Sequence, residues 1–359
     1  MVGSNPYSGL PKDRFWRSAV SDVSPFDIDG IYNPKFKILK EMRITAAGSC
    51  FAQHIARQFK RRGYMFNDVE PAPPFLTPSL AQSYGFDLYS ARHGNIYSVR
   101  QLLQMYKRAF GRFSPKESVW MSKGRFFDPF RPSIEPDGFA SEKELRDDVK
   151  YHLNAVATLL QQTDLFVFTF GLTEGWECIA DGAVFPSCPG VIAGEFDADK
   201  HRFHNFSFEE NLKDAEEFIA FATSMNPGIK FLFTVSPVPL TATASGEHVL
   251  PATIYSKSVL RAVCGELQRK YANVDYFPSY ELVSAYPFRG MFYNPNMRSV
   301  NDRGVNHVME IFFSSHEEKG EEKPRGRARR PNAKRLALAA KSKKADDVMC
   351  DDEILEVFG

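Results

Sequence analysis

The chain reads as an α/β protein with a mostly parallel central sheet, and two observations predict it. "DLFVFTFG" (164–171) and "IKFLFTVSPVPL" (229–240) are continuous apolar runs, each ended by glycine or proline. Strands that are apolar without alternation are those covered on both faces, as in parallel sheets. Between and after them lie helical patterns at 143–162, 208–225 and 256–271. Strand, helix and strand in repeated succession make a layered α/β domain.

The remaining elements follow in order. Residues 1–40 are rich in proline and aromatic residues and read as an arm draped over the core. Arg43 to Ala47 suits a short strand, Phe51 to Arg62 an amphipathic helix, and "VEPAPPFLTPSL" (69–80) a proline-rich loop. "NIYSVRQLLQMYKRAFG" (95–111) is helical up to its terminal glycine, and "VDYFPSY" (274–280) is a strand or loop. A final helix is expected over 301–313. These boundaries give an arm at 1–40, a main α/β domain at 41–315 and a tail at 316–359. The tail is blocky in charge and poor in aromatics, a composition that favours disorder. No internal repeat is visible.

Composition narrows the function. The 45 Lys and Arg against 44 Asp and Glu give a net charge of +1, so the body is not that of a nucleic-acid binder. The exception is Lys323 to Lys344, basic throughout with no acidic residue. By charge alone it suits an acidic protein, an anionic lipid or a nucleic acid. "DDEILEVFG" at the end mixes acids with apolar residues and could dock as a short helix. Five scattered cysteines form neither a disulfide framework nor a zinc pattern. "HRFHNF" (201–206) spaces two histidines for a metal, yet no further ligand cluster accompanies them. The first residues lack the apolar core of a signal peptide, and no run is long enough to span a bilayer, so a cytoplasmic protein is expected.

In open α/β sheets ligands bind beyond the carboxyl ends of the strands. Those positions here are Gly48-Ser49-Cys50, then Gly171-Leu172-Thr173-Glu174, then Ser236-Pro237-Val238, with His307 in the last helix. Glycine permits a tight turn and close approach. A helix start offers unpaired N–H groups and a positive dipole end, which favour a thiolate or a developing oxyanion. Ser49 could equally be a helix cap and Cys50 a small packing residue.

"AGSCFAQHIA" (47–56) carries a resemblance to the GSCFA family, whose name is Gly48-Ser49-Cys50-Phe51-Ala52 as written here. "GNIY" (94–97), "TFGLTE" (169–174), "SPVP" (236–239) and "RSV…GV.HVM" (298–309) are similar in the same order. The family in turn resembles the SGNH, or GDSL-like, hydrolases. That likeness implies a three-layer α/β/α sandwich, acyl-ester chemistry and neither metal nor cofactor. In register with that pattern, Cys50 falls on the nucleophile, with Ser49 the alternative. Gly48 and Gly94 with Asn95, and Gly171 with Thr173 and Glu174, fall on the oxyanion and substrate-binding blocks. Thr173 stands where an asparagine is usual. His307 matches the general base, but Gly304 stands three residues before it where an aspartate is usual, leaving Asp302 as the candidate acid.

The resemblance thus implies an acyl-ester hydrolase or acyltransferase, with acylated sugars or polysaccharide precursors as candidate substrates. Two alternatives stand beside it: an inactive relative binding a glycan or acyl ligand in the same cleft, and a scaffold whose working part is its basic tail. His54, one turn after Cys50, Arg92 and His93 beside Gly94, and Trp176 after the third block are secondary candidates for the cleft.

Overall fold

A computed structural model describes residues 5–317 and 351–358. Of the tail expected to be disordered, 316–359, residues 318–350 lie outside the described residues, while His316 belongs to the last helix and 351–358 form a 3-10 helix. The apolar hand-over at residue 43 becomes β1 (Ile44–Gly48), followed directly by α1 (Phe51–Arg61). Then come α2 (Pro78–Ser83) and α3 (Val99–Ala109), a short hairpin of β2 (Trp120–Ser122) and β3 (Arg125–Phe127), and α4 (Glu142–Gln162). The middle of the chain forms β4 (Leu165–Phe170), β5 (Glu174–Cys178), β6 (Val184–Phe185), β7 (His201–Asn205) and α5 (Phe208–Met225). The last part forms β8 (Lys230–Val235), α6 (Val249–Lys270), β9 (Val274–Tyr276), α7 (Ser279–Ser284) and α8 (Asp302–His316).

The central sheet runs β1-β4-β8-β9 and every pairing in it is parallel. Beyond β1, Phe66 bridges to Ile44. Within the apolar run of β4, side chains alternate between two cores. Phe166, Phe168 and Phe170 pack with residues of α3, α4, α5 and α6, among them Tyr106, Leu160, Phe218 and Leu260. Leu165 and Val167 pack on the opposite face with Phe51, Ile55 and Phe59 of α1 and Val308 and Phe312 of α8. One strand therefore feeds two helical layers, which is why its sequence shows no polar alternation. The architecture is a three-layer α/β/α sandwich.

The arm covers the α1–α8 face. Ile28, Tyr32 and Ile38 are buried in it, and the Tyr32 hydroxyl donates to Asp275 at 3.0 Å. Burial and that carboxylate both push the Tyr32 phenol well up. The helix expected from 95 begins at Val99, because the Ser98 side chain caps it and Gln101 completes a capping box. α6 starts seven residues before the expected 256: His248 caps it, and Pro251 sits within its first turn where no intrahelical N–H is required. α8 extends to His316, which is buried beside Tyr32 rather than opening a tail. The loop expected over 69–80 ends in α2, capped by Thr77 with Pro78 at its first position. A second antiparallel sheet, β6-β5-β7, follows the third glycine block. Residues 351–358 form a 3-10 helix, with Glu353 3.3 Å from the Arg298 guanidinium.

Candidate functional site

The site forms where β1 and β4 end side by side, with Gly48 in register with Thr169. Gly48 has φ +138°, a conformation side chains disfavour, and a Cβ there would stand 2.5 Å from the Thr169 carbonyl oxygen. Only glycine lets the two strands approach at this point. The Ser49 N–H donates to that same carbonyl at 3.2 Å, and the chain then enters α1 with Cys50 at the N-cap position. Cys50 makes no side-chain cap; the Ala52 N–H donates instead to the Ser49 carbonyl at 2.8 Å and the Gln53 N–H to the Cys50 carbonyl at 3.1 Å.

The second block is laid across this turn. Ile96 N–H donates to the Gly48 carbonyl at 2.9 Å, which pins Gly94 to Tyr97 beside residues 48–50. The third block completes the enclosure. Gly171 has no space for a side chain, since a Cβ would meet the Tyr97 carbonyl at 2.9 Å and the Ser49 Cβ at 3.0 Å. Ser236, at the end of β8, donates its N–H to Phe170 at 2.8 Å. Three blocks separated in sequence thus share one end of the sheet.

Both candidate nucleophiles are buried, each 2% exposed. The Ser49 hydroxyl has no hydrogen-bond partner, nor does the Thr169 hydroxyl behind it. Unsatisfied buried hydroxyls are costly and need a reason. The Ser49 carbonyl accepts from the Tyr89 hydroxyl at 3.1 Å. Tyr89 also bonds the Asn95 Oδ1, which Gln53 Nε2 approaches at 3.3 Å.

Thr173 is committed to structure. Its hydroxyl donates to Asn205 Oδ1 at 2.7 Å, and its N–H donates to Ser256 Oγ at 3.0 Å. The N–H groups of Gly171 and Leu172 both donate to the Tyr97 carbonyl. Glu174 is half-buried, and burial pushes its carboxyl up against the hydrogen bond from Thr243.

His307 lies apart from the three blocks in sequence, in a pocket of rings. Phe292 stacks on it at 4.9 Å, with Phe288 and Phe26 edge-on at 6.0 and 6.1 Å. Burial lowers its pKa, Glu310 opposes that and Arg303 adds to it. Its Nε2 is buried without a hydrogen-bond partner. Asp302 is exposed in the first turn of α8, where the Asn301 side chain caps the helix. Two other histidines belong to the elements around Cys50. His54 lies one turn further along α1, its ring 5.6 Å from Phe51. His93 is buried, held to the Gly94 carbonyl at 2.8 Å with its ring tilted against Tyr89 at 4.8 Å, and burial lowers its pKa to about 4.

Beneath the second block lies a buried ionic network. Glu70 accepts from the Arg92 N–H and from His152, both at 2.7 Å. Arg92 reaches Glu135 at 2.7 Å and Asp148 at 3.2 Å, while Arg131 joins Asp128 and Asp148 at 2.7 Å. Arg131 also donates to the Arg92 carbonyl at 3.3 Å. The network fixes the backbone leading to Gly94. Arg92 is therefore a member of this support.

Sequence reasoning missed Ser256 and Lys257, both buried on α6. The available signal was their phase: they share the apolar stripe of Ala252, Leu260, Val263 and Cys264, where a lysine is unexpected. The two histidines of "HRFHNF" are held by carboxylates, His201 by Glu117 at 2.8 Å and His204 by Glu177 at 2.7 Å. Among the described residues no group of three or more potential ligands could hold a metal ion. Trp176 packs against Phe196 and Phe203 in the second sheet. A cavity of about 930 Å³ opens beside that sheet, lined by Glu117, Cys178, Phe196 and His201 among others, away from the strand ends. No described helix is long and apolar enough to cross a membrane.

No curated protein matches the chain. The GSCFA family matches residues 43–312, from the start of β1 into the last turns of α8, and so includes every block of the site. With that match over most of its length, this chain belongs to the GSCFA family.

Proposed function

We propose that the protein is an acyl-ester hydrolase or acyltransferase on an SGNH-like frame, with Cys50 as nucleophile and Ser49 as the alternative. One observation carries the reading. The Gly48-Ser49-Cys50 turn, backed by the unpartnered buried hydroxyls of Ser49 and Thr169, sits at a helix start among three blocks at the carboxyl ends of the strands. Burial pushes the Cys178, Cys188 and Cys264 thiols up, which keeps them protonated and inert at neutral pH.

In this scheme the Cys50 thiol passes its proton to an imidazole and the sulfur attacks the ester carbonyl carbon. The tetrahedral oxyanion collapses, the carbon–oxygen bond breaks, and the departing alkoxide takes the proton back. Water or an acceptor hydroxyl then attacks the thioester, gives up its proton to the imidazole and releases the acyl product and the thiol. The oxyanion is held by the backbone of the Gly94–Asn95 segment, since the Ala52 and Gln53 N–H groups at the start of α1 are taken by the Ser49 and Cys50 carbonyls. His307 is the proposed imidazole: burial keeps it neutral, with an unpartnered nitrogen as acceptor. Asp302 would assist through the field at the start of α8. Acylated sugars or polysaccharide precursors are the proposed substrates, an assignment by analogy of frame.

A second reading has its own observation. The Gly171 and Leu172 N–H groups and both donors of Thr173 are consumed by protein acceptors, so the third block offers no ready oxyanion donor. That favours a protein which binds an acyl or glycan ligand without turnover. Burst and steady-state release of p-nitrophenol from short-chain acyl esters separates the two, using wild type, Cys50→Ala, Ser49→Ala and His307→Ala. Activity lost at 50 and 307 and kept at 49 supports the thiol enzyme. No turnover in wild type favours the binding reading.

A further inference from the structure

Lys257 lies in the third turn of α6 and is 1% exposed. Its Nζ donates to the Gly171 carbonyl at 2.7 Å. Its neighbour Ser256, also buried, accepts the Thr173 N–H at 3.0 Å. Two consecutive residues of one helix thus hold both ends of the Gly171–Thr173 turn. The other side of that turn touches the candidate nucleophile segment, since the space a Gly171 side chain would need is filled by the Ser49 Cβ. From beneath, the Tyr97 carbonyl takes the N–H groups of Gly171 and Leu172. The turn is therefore clamped on every side, and one of the clamps is a buried lysine.

Holding a carbonyl does not require a charge. A neutral donor would do so without the penalty of taking an ammonium out of water, several kcal/mol in a protein interior. A buried cation does something a neutral donor cannot: it lowers the energy of negative charge nearby, in surroundings where the interaction is poorly screened. In acyl transfer negative charge develops at residues 49–50, against which the turn held by the ammonium is packed: Lys257 bonds the Gly171 carbonyl, and a Gly171 side chain would meet the Ser49 Cβ.

We propose that Lys257 is a positioning residue of the cleft, which presses the Gly171–Thr173 turn against Ser49 and stabilises negative charge developing at residues 49–50. The inference rests on the acyl-enzyme reading and adds to it a residue from α6, outside the recognised sequence blocks.

The test compares wild type with Lys257→Met, which keeps the length and apolar stem, and with Lys257→Gln, which keeps a neutral donor. Two readouts are taken on the full chain, alongside thermal melting. One is kcat and KM for p-nitrophenyl acetate. The other is the rate at which iodoacetamide alkylates Cys50 at pH 7, followed by mass spectrometry of its peptide. The expected result is a loss of about tenfold or more in both kcat and alkylation rate in both variants, with KM within about threefold. A merely structural role predicts the opposite for the thiol, because a loosened turn would expose Cys50 and speed its alkylation. Wild-type rates in Lys257→Gln, or faster alkylation in both variants, would overturn the inference while leaving the acyl enzyme intact. If Lys257→Met does not fold, Lys257→Gln decides. A wild type silent in both assays would remove the acyl-enzyme reading itself, and this inference with it.

Discussion

Gly171 and Ser49 fit together as surface and mould: the place where a Gly171 Cβ would stand is 3.0 Å from the Cβ of Ser49 and 2.9 Å from the Tyr97 carbonyl. No positive φ is involved at residue 171, so the requirement is one of space alone. Gly171→Ala must displace either the Ser49 turn or the Gly94–Tyr97 segment. Overpacking of this kind costs about 1–3 kcal/mol. Urea unfolding should show that loss, and any esterase activity should fall by more than the stability change accounts for. An alanine variant with wild-type stability and kcat would mean the two blocks are not rigidly apposed.

The identity of the nucleophile has a sharper test than deletion. Exchanging the two side chains, Ser49→Cys with Cys50→Ser, preserves composition and nearly preserves volume. If Cys50 is the nucleophile, the exchanged protein should lose at least about a hundredfold in acyl-enzyme formation, since a thiol one residue away is misplaced by far more than the 1 Å that already costs about that much. Burst-phase p-nitrophenol release measures this step directly. A burst retained in the exchanged protein and lost in Ser49→Ala would place the chemistry at residue 49.

The ionic network beneath Gly94 makes a stability prediction. The Arg131 and Asp128 side chains are almost wholly buried, at 3% and 1% exposed, so removing one partner strands the other. Arg131→Met should cost about 3–5 kcal/mol in urea unfolding. The double variant Arg131→Met with Asp128→Leu should recover part of that loss, because the stranded carboxylate is gone. A double variant less stable than the single one would show that Asp128 is held chiefly by something other than Arg131.

Acid should destabilise the fold in two stages. Burial lowers His93 and His316 to about 4, and lowers His152 and His307 as well. An unfolded chain protonates its histidines near pH 6.5, so below that value the unfolded state binds protons the folded state refuses. Stability is then full above about pH 6.5 and declines towards pH 4. At pH 5, His93 and His316 should each account for on the order of 1–2 kcal/mol of lost stability. Glu70 extends the decline. Burial pushes its carboxyl up, but His152, Arg131 and the Arg92 N–H outweigh that and hold it at about 2. Its contribution is present above the unfolded carboxylate range and is lost between there and pH 2. Urea midpoints at pH 7 and pH 5 test the first stage, and equal midpoints would refute it.

The central strands were legible because they carry their own signal. β4 and β8 are buried on both faces, and an apolar run without alternation leaves no face for solvent. α5 was readable to the residue, since Ser207 and Glu210 write a capping box into the sequence. The start of α6 was hidden by Pro251, which reads as a breaker although it is harmless in a first turn. β5, β6 and β7 are short and half-polar, and Trp176 and Phe203 find each other only through pairing distant in sequence. The site was legible where glycine is geometrically obligatory, at residue 48. It was illegible where contacts come from distant parts of the chain: nothing local marks Lys257 as reaching Gly171, or His307 as enclosed by Phe26, Phe288 and Phe292.

The clamp on the Gly171–Thr173 turn also bears on the order of folding. Its holders come from residues 49, 97, 205 and 256–257, so the turn is set only when β1, β4, β7 and α6 have all docked. Contacts so far apart in sequence form late, after the loops between them have closed. Helix content should therefore return early in refolding, while the shape of the cleft returns last. Reactivity at residues 49–50 becomes a clock for the final docking step, and in a newly synthesised chain the Gly171–Thr173 turn would stay unset until α6 had joined the sheet.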